Sequence, residues 1–183
     1  MTHEEELELA NSTDENVRRA LANNPETSAE TLNQLSSDDS MFVRVRVAAH
    51  ANTSPEALQI LSKDECGFVK EFVAEHLSTP VKTLIELSND REIVSWVAGN
   101  PNTPVKILEK LSKDEDEFVR ISISVNPNIS DQTLDKLSKD ENENVRAAVA
   151  KNINAPAEIL ARLNKDENEL VREVASENPS TPV

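Results

Sequence analysis

Two histidines, His50 and His76, occupy matching places in successive stretches of the chain, and Glu75 adjoins the second. Imidazole nitrogens with a carboxylate nearby form a donor set that suits a transition metal. An acidic column, Asp38, Asp64, Asp90, Asp114, Asp140 and Asp166, invites a metal or acid–base reading of its own. A basic column, Arg18, Arg44, Arg120, Arg146 and Arg172, could form a track for anions. Each of these has a structural competitor. A carboxylate that opens a helix caps free amides and opposes the positive end of the dipole. Basic residues recurring beside acidic ones predict ion pairs between neighbouring units. The histidines share their column with Asn24, Asn100, Asn126, Asn152 and Asn178, residues that satisfy open carbonyls and amides of a turn. Cys66 is the only cysteine, which leaves no internal disulfide and no cysteine metal cluster. No Gly-rich phosphate loop, His-Glu-x-x-His or Cys-x-x-Cys run occurs, and no Ser, Cys or Thr has a base partner that the columns do not already explain.

The columns exist because the chain repeats itself. An aliphatic anchor recurs at Val17, Val43, Val69, Ile93, Val119, Val145 and Val171, with a constant period of 26 that drops to 24 between Val69 and Ile93. Leucines keep step at 32, 58, 84, 108, 134 and 160, and again at 35, 61, 87, 111, 137 and 163. Within a unit, Asp114 to Pro127 reads as an acidic first turn, an apolar stripe and a Pro stop, the signature of a longer helix. Asn102 to Ser112 reads as a shorter helix, capped by Thr103, with Pro104 at its first position and a partly 3₁₀ character. Such short helices are marginal alone in water, so each unit must be held by its neighbours. The predicted fold is all-α, a solenoid of six to seven two-helix repeats of this period forming a single domain over 1–183. The shortening before Ile93 predicts a local change of superhelical twist. The terminal rungs, with nothing that reads as a dedicated polar cap, are expected to be the weakest.

Composition agrees. Two Gly, no Tyr and nine Pro suit helices punctuated by turns. With 19 Lys plus Arg against 34 Asp plus Glu, the net charge is −15. That field disfavours nucleic acid and anionic membranes as partners, and no stretch approaches the ~20 apolar residues of a membrane helix. An acidic start without a basic region and apolar core predicts a cytoplasmic protein.

The unit Asp-Glu-x-x-Phe-Val-Arg, Val-Ala-x-Asn-Pro-x-Thr-Pro, Leu-x-x-Leu-Ser resembles the leucine-rich repeat variant family, bacterial relatives of HEAT and ARM repeats. The motifs stand clearest at Val97-Ala98-Gly99-Asn100-Pro101-Asn102-Thr103-Pro104 and at Asn178 to Pro182. The resemblance implies α and 3₁₀ helices alternating in a right-handed superhelix. Some members hold an iron–sulfur cluster on N-terminal cysteines; no cysteine precedes Cys66, so no cofactor is carried over.

The function read from these features is a non-catalytic scaffold whose acidic surface binds a basic protein or peptide. The alternatives are a structural module of a longer chain, in keeping with the end at Ser180-Thr181-Pro182-Val183, and a relative of the HEAT-like alkylpurine glycosylases, which the charge balance opposes. Taking the anchor as zero, positions zero and plus four face the core, whereas plus two, three and six are left for a partner. The candidate partner-binding residues are therefore Arg46, Glu71, Phe72, Glu75, Trp96, Ile121 and Val125. Weak end-to-end self-association is expected near Val174 and Val183.

Overall fold

The computed structural model describes residues 2–182, and every described element is helical. Long and short helices alternate along the chain, which divides into two compact units, Met1–Ile93 and Val94–Val183. The division falls at the shortened repeat.

The first unit holds α1 (His3–Ala10), α2 (Glu15–Ala22), α3 (Ala29–Leu35), α4 (Met41–Ala49), α5 (Pro55–Leu61), α6 (Gly67–Glu75) and α7 (Val81–Leu87). The second holds α8 (Val94–Gly99), α9 (Val105–Leu111), α10 (Glu117–Ser124), α11 (Asp131–Leu137), α12 (Glu143–Lys151), α13 (Ala157–Leu163) and α14 (Glu169–Glu177). In each unit the even-numbered long helices form one layer, α2 to α4 to α6 and α8 to α10 to α12 to α14, with the short helices behind them. This is a helical repeat architecture. None of the helices exceeds nine residues, so stacking rather than propensity holds them.

The predicted core is buried throughout. Val43, Val47, Leu58, Val73, Leu84, Val97, Leu108, Ile123 and Leu134 are fully enclosed, and Leu61, Leu87, Leu111, Val119 and Leu137 nearly so. No aromatic side chain is among the buried residues. An aliphatic core follows from the geometry: rungs about 8–10 Å apart leave room for one layer of branched side chains between helix axes.

Four sequence expectations need correcting. The short helices are α-helices, not 3₁₀; in α3 the bonds Leu32 N–H to Ser28 and Ser36 N–H to Leu32 span four residues. Three-residue bonds occur at the ends of the short helices: Ile107, Thr133 and Ile159 donate to Pro104, Ser130 and Pro156 at the first turn, and Asp64 and Asp114 donate to Leu61 and Leu111 beyond the last. Thr103 does not cap α9, because its hydroxyl donates backward to the Val97 carbonyl at 2.5 Å, as Thr53 does to Val47 and Thr79 to Val73. The N-cap place falls on Pro104, which has no side-chain acceptor.

The acidic column does not cap helices either. Asp64 Oδ1 accepts from Cys66 N–H and Asp140 Oδ1 from Asn142 N–H, each turning the chain onto a cap that sits two residues later. Finally, the N-terminal rung turns a polar face outward where the later short helices carry leucine. α1, one period of 26 before α3, is the short helix of a partial first rung; it packs on α2 and α3 and is opened by a reciprocal Thr2–Glu5 box. Its Glu6 is buried and accepts from the hydroxyls of Ser28 (2.6 Å) and Thr31 (2.8 Å). Those hydroxyl bonds hold the Glu6 carboxyl below its ordinary range, and Glu4, Glu5 and Glu8 face solvent.

Candidate functional site

Three polar columns register the rungs, and they absorb most of the chemistry suspected from sequence. The basic column clasps the acidic one 20 residues on. Arg44 grips Asp64 with Nε at 2.5 Å and Nη2 at 3.0 Å, and Arg146 grips Asp166 at 2.9 and 3.0 Å. Arg18–Asp38 and Arg120–Asp140 do the same. In each case Nη1 also donates to a backbone carbonyl ahead of its own helix, for example Arg120 to Asp114 at 2.8 Å. Two-pronged pairs of this kind fix distance and angle together. Lys70 makes one such contact to Asp90, at 2.5 Å, and Val94 takes the next basic place with no donor at all.

Pairing moves the titration of Asp64, Asp90 and Asp166. The Arg146 guanidinium holds Asp166 below the usual carboxylate range, and the Lys70 ammonium does so for Asp90. For Asp64, burial pushes upward, yet the Arg44 and Cys66 hydrogen bonds outweigh it and the carboxyl is lowered.

The asparagine column is the second register. Asn126 Nδ2 donates to the Ala98 and Asn100 carbonyls of the preceding rung, and Asn178 to those of Ala150 and Asn152. Each Oδ1 accepts from the amide two residues on, at 2.8 Å in Asn126 and Asn152. His50 and His76 reproduce both bonds. Their Nε2 atoms lie 2.9 and 3.0 Å from the Asn24 and His50 carbonyls, and their Nδ1 atoms 3.0 Å from the amides of Asn52 and Ser78. An amide can only donate and a carbonyl can only accept, so both rings are the neutral Nε2–H tautomer. With both nitrogens committed to backbone, no lone pair remains for a cation, which removes the metal reading of this pair. Among the described residues no group of three or more His, Cys, Asp or Glu is placed to hold a metal.

What the columns leave is the outer face of the long helices, where all five aromatic residues sit. Phe72 is 36% exposed, Trp96 41%, Phe42 53%, Phe68 63% and Phe118 67%. In the first unit, Phe68 and Phe72 stand four residues apart on α6, one turn above the other on a single face. Phe42 and Arg46 have the same spacing on α4.

Beside Phe72 lies a cavity of about 550 Å³ floored by Ala48, Ala49 and Ala51, walled by Phe72 and Leu77, and edged by Glu75, His76 and Ser78. A second, of about 220 Å³, shares Ala49 and Ala51 and adds Ala22, Asn23, Pro25, Arg46 and His50. The two form one groove across α2, α4 and α6. Alanine makes it: small side chains on α4 lie between larger ones on its neighbour.

The structure brings three of the seven candidates together, Arg46, Phe72 and Glu75, all on this groove. Glu71 is half-buried on the flank of α6. In the second unit Trp96 is exposed on α8 and Val125 at the C-cap of α10, whereas Ile121 is half-buried and packs against the apolar core. Position plus two therefore faces the neighbouring rung more than solvent, because side chains on a long helix flanked by others of the same layer reach sideways. Sequence reasoning missed Phe42, Phe68, Phe118 and Leu77. The first three precede the anchor and were absorbed into the repeat motif as its Phe-Val-Arg; their repetition at 42, 68 and 118 was the signal. Leu77, 67% exposed, replaces the proline found at 25, 101, 127 and 179.

No helix among the described residues is long and apolar enough to cross a membrane. No protein-family profile matches the chain, and no curated protein does. A solved structure does, described as a leucine-rich repeat variant with a novel repetitive protein structural motif. It is 25% identical, the match covers 97% of this chain and 72% of the other, and the TM-score is 0.68. The fold is thus similar to that of the leucine-rich repeat variant, as the Asn-Pro-x-Thr-Pro and Phe-Val-Arg motifs imply.

Proposed function

We propose that this chain is a non-catalytic scaffold that binds a protein or peptide through the outer face of its long helices. The observation that carries the reading is the placement of the aromatic residues, every one of which is at the surface while the core is aliphatic. Exposed aromatic side chains cost solubility and contribute nothing to a core already filled, whereas at interfaces they supply most of the binding energy. The columns support the non-catalytic part. The Arg, Asp, Asn, His and Thr side chains that could handle protons are tied into bonds that hold one rung to the next.

The net charge of −15 favours a basic partner, because complementary fields speed encounter. A cytoplasmic setting accords with the acidic, single-cysteine chain. At the last rung, Val174 is half-buried against the core, a surface for weak pairing of chain ends; Val183 lies outside the described residues.

The test is capture of partners by the full chain and by a Phe42→Ser, Phe68→Ser, Phe72→Ser triple variant, at ~50 mM and ~500 mM salt, where screening lengths differ about threefold. We expect a basic partner retained by the parent at low salt and lost both at high salt and by the variant. A variant that melts like the parent and retains every captured protein overturns the reading.

A further inference from the structure

The groove on the first unit is not uniformly acidic, and its one basic residue is unusual. Arg18 and Arg44 clasp carboxylates, Arg19 is held by Asn16, Arg162 binds Asp135, and Arg172 is held by the Asp166 and Glu167 carbonyls. Arg46 alone among the arginines of the described residues has no hydrogen bond or ion pair, although acids outnumber bases 34 to 19 in the chain. Its guanidinium is exposed at the lip of the smaller cavity, next to Ala49 and Ala51, which the larger cavity shares. A free guanidinium is built to grip a carboxylate with two parallel bonds. One rung away the same groove becomes apolar between Phe72 and Leu77 and ends at the exposed carboxylate of Glu75.

Resting on the scaffold reading above, we infer that this groove takes an extended peptide segment with three features in order. A carboxylate, from Asp, Glu or a chain terminus, pairs with Arg46. A large apolar side chain enters between Phe72 and Leu77 over the alanine floor. A lysine or arginine meets Glu75. The spacing follows from the fold. Neighbouring long helices lie about 8–10 Å apart, and an extended chain advances about 3.3 Å per residue, so the acid precedes or follows the apolar anchor by about three residues. The two charged ends are opposite in sign, which fixes the direction in which the segment lies. Glu71 on the flank of α6 strengthens the preference for a base at that end.

The experiment is selection of a random-peptide display library on the full chain, followed by binding of the enriched peptides to two variants. Arg46→Glu reverses the charge. Ala49→Trp, at an exposed position, fills the floor shared by both cavities. Circular dichroism and thermal melts check that both fold.

We expect enriched peptides with an acid, an apolar residue about three positions on, and a base beyond it. Affinity should fall at least tenfold in each variant, and changing the peptide's acid to lysine should restore binding to Arg46→Glu. Enriched peptides that bind both variants as they bind the parent overturn the groove assignment while leaving a peptide-binding scaffold in place. Peptides lost with Ala49→Trp but indifferent to Arg46→Glu overturn the carboxylate contact. A library that yields no enrichment overturns this inference together with the scaffold reading on which it rests.

Discussion

Helices α6 and α12 occupy the same place in the repeat and have nine residues each, yet they meet solvent differently. On α12 every residue from 145 to 150 is buried, and alanines at 147 and 148 close the surface. On α6 only Val69, Val73 and Ala74 are buried, and Phe68, Phe72 and Glu75 stand outside. The anchor, the position four beyond it and the position after that are therefore sufficient to stack a rung. The remaining positions are free to vary, and in the first unit they vary toward large apolar groups that the stack does not use. A repeat protein separates the two duties by residue position, which is why one scaffold can carry different surfaces.

The sharpest way to break this comparison is to truncate the frame. Leu134→Ala or Leu58→Ala, both fully buried, should cost ~2–5 kcal/mol by chemical denaturation. A change within error at either site would mean that the leucine columns are not the core. Next in size is the asparagine column. Asn126→Ala removes two donors to buried carbonyls and an acceptor for the Asn128 amide, a loss of ~1–3 kcal/mol. His76→Asn should keep both kinds of bond and cost far less, on the order of 0.5 kcal/mol. Equal losses for the two variants would show that histidine does more in this column than stand in for asparagine.

Acid should distinguish the paired columns from the free surface. Asp166, Asp90 and Asp64 are all held below their ordinary range. A carboxylate whose folded pKa is lowered contributes stability that is present above its unfolded value, about 3.9. That contribution is lost as the pH falls through the lower folded value. Stability should decline below about pH 4 on this account. Asp166→Asn should be less stable at neutral pH and show a flatter acid limb, because the residue that titrates has been removed. An acid limb identical to that of the parent would deny Asp166 its part. The surface aromatics should show the smallest effect on folding. Trp96, 41% exposed, should emit in the red and be readily quenched; a blue, protected emission would place it in the core instead.

Much of this was legible in the sequence because a repeat writes the same physics seven times. A valine or leucine that returns at the same place in every repeat can only be core, and the Arg and Asp columns predict the pairs that the structure contains. Features that occur once were not legible. Helix α1 stands one period of 26 before α3, but Glu6 occupies the place of the Leu32 column and reads as one of a run of glutamates until the hydroxyls of Ser28 and Thr31 are seen to reach it. Thr103 reads as a cap because the local pattern favours one, yet a longer-range acceptor, the Val97 carbonyl, competes for its hydroxyl. The aromatic face was partly hidden by the repeat itself. Phe42, Phe68 and Phe118 recur and so looked like frame, while Phe72 and Trp96 broke the pattern and stood out. The groove depends on Ala49 and Ala51, whose small size signals nothing until α6 is placed beside them.

The central claim is that the frame folds the chain and the outer face does not. Urea unfolding of the parent, of Leu84→Ala and of a Phe68→Ser, Phe72→Ser double variant tests it directly. The account predicts a loss of ~2–5 kcal/mol for Leu84→Ala and a double variant within ~0.5 kcal/mol of the parent. A double variant destabilised as much as Leu84→Ala would contradict it.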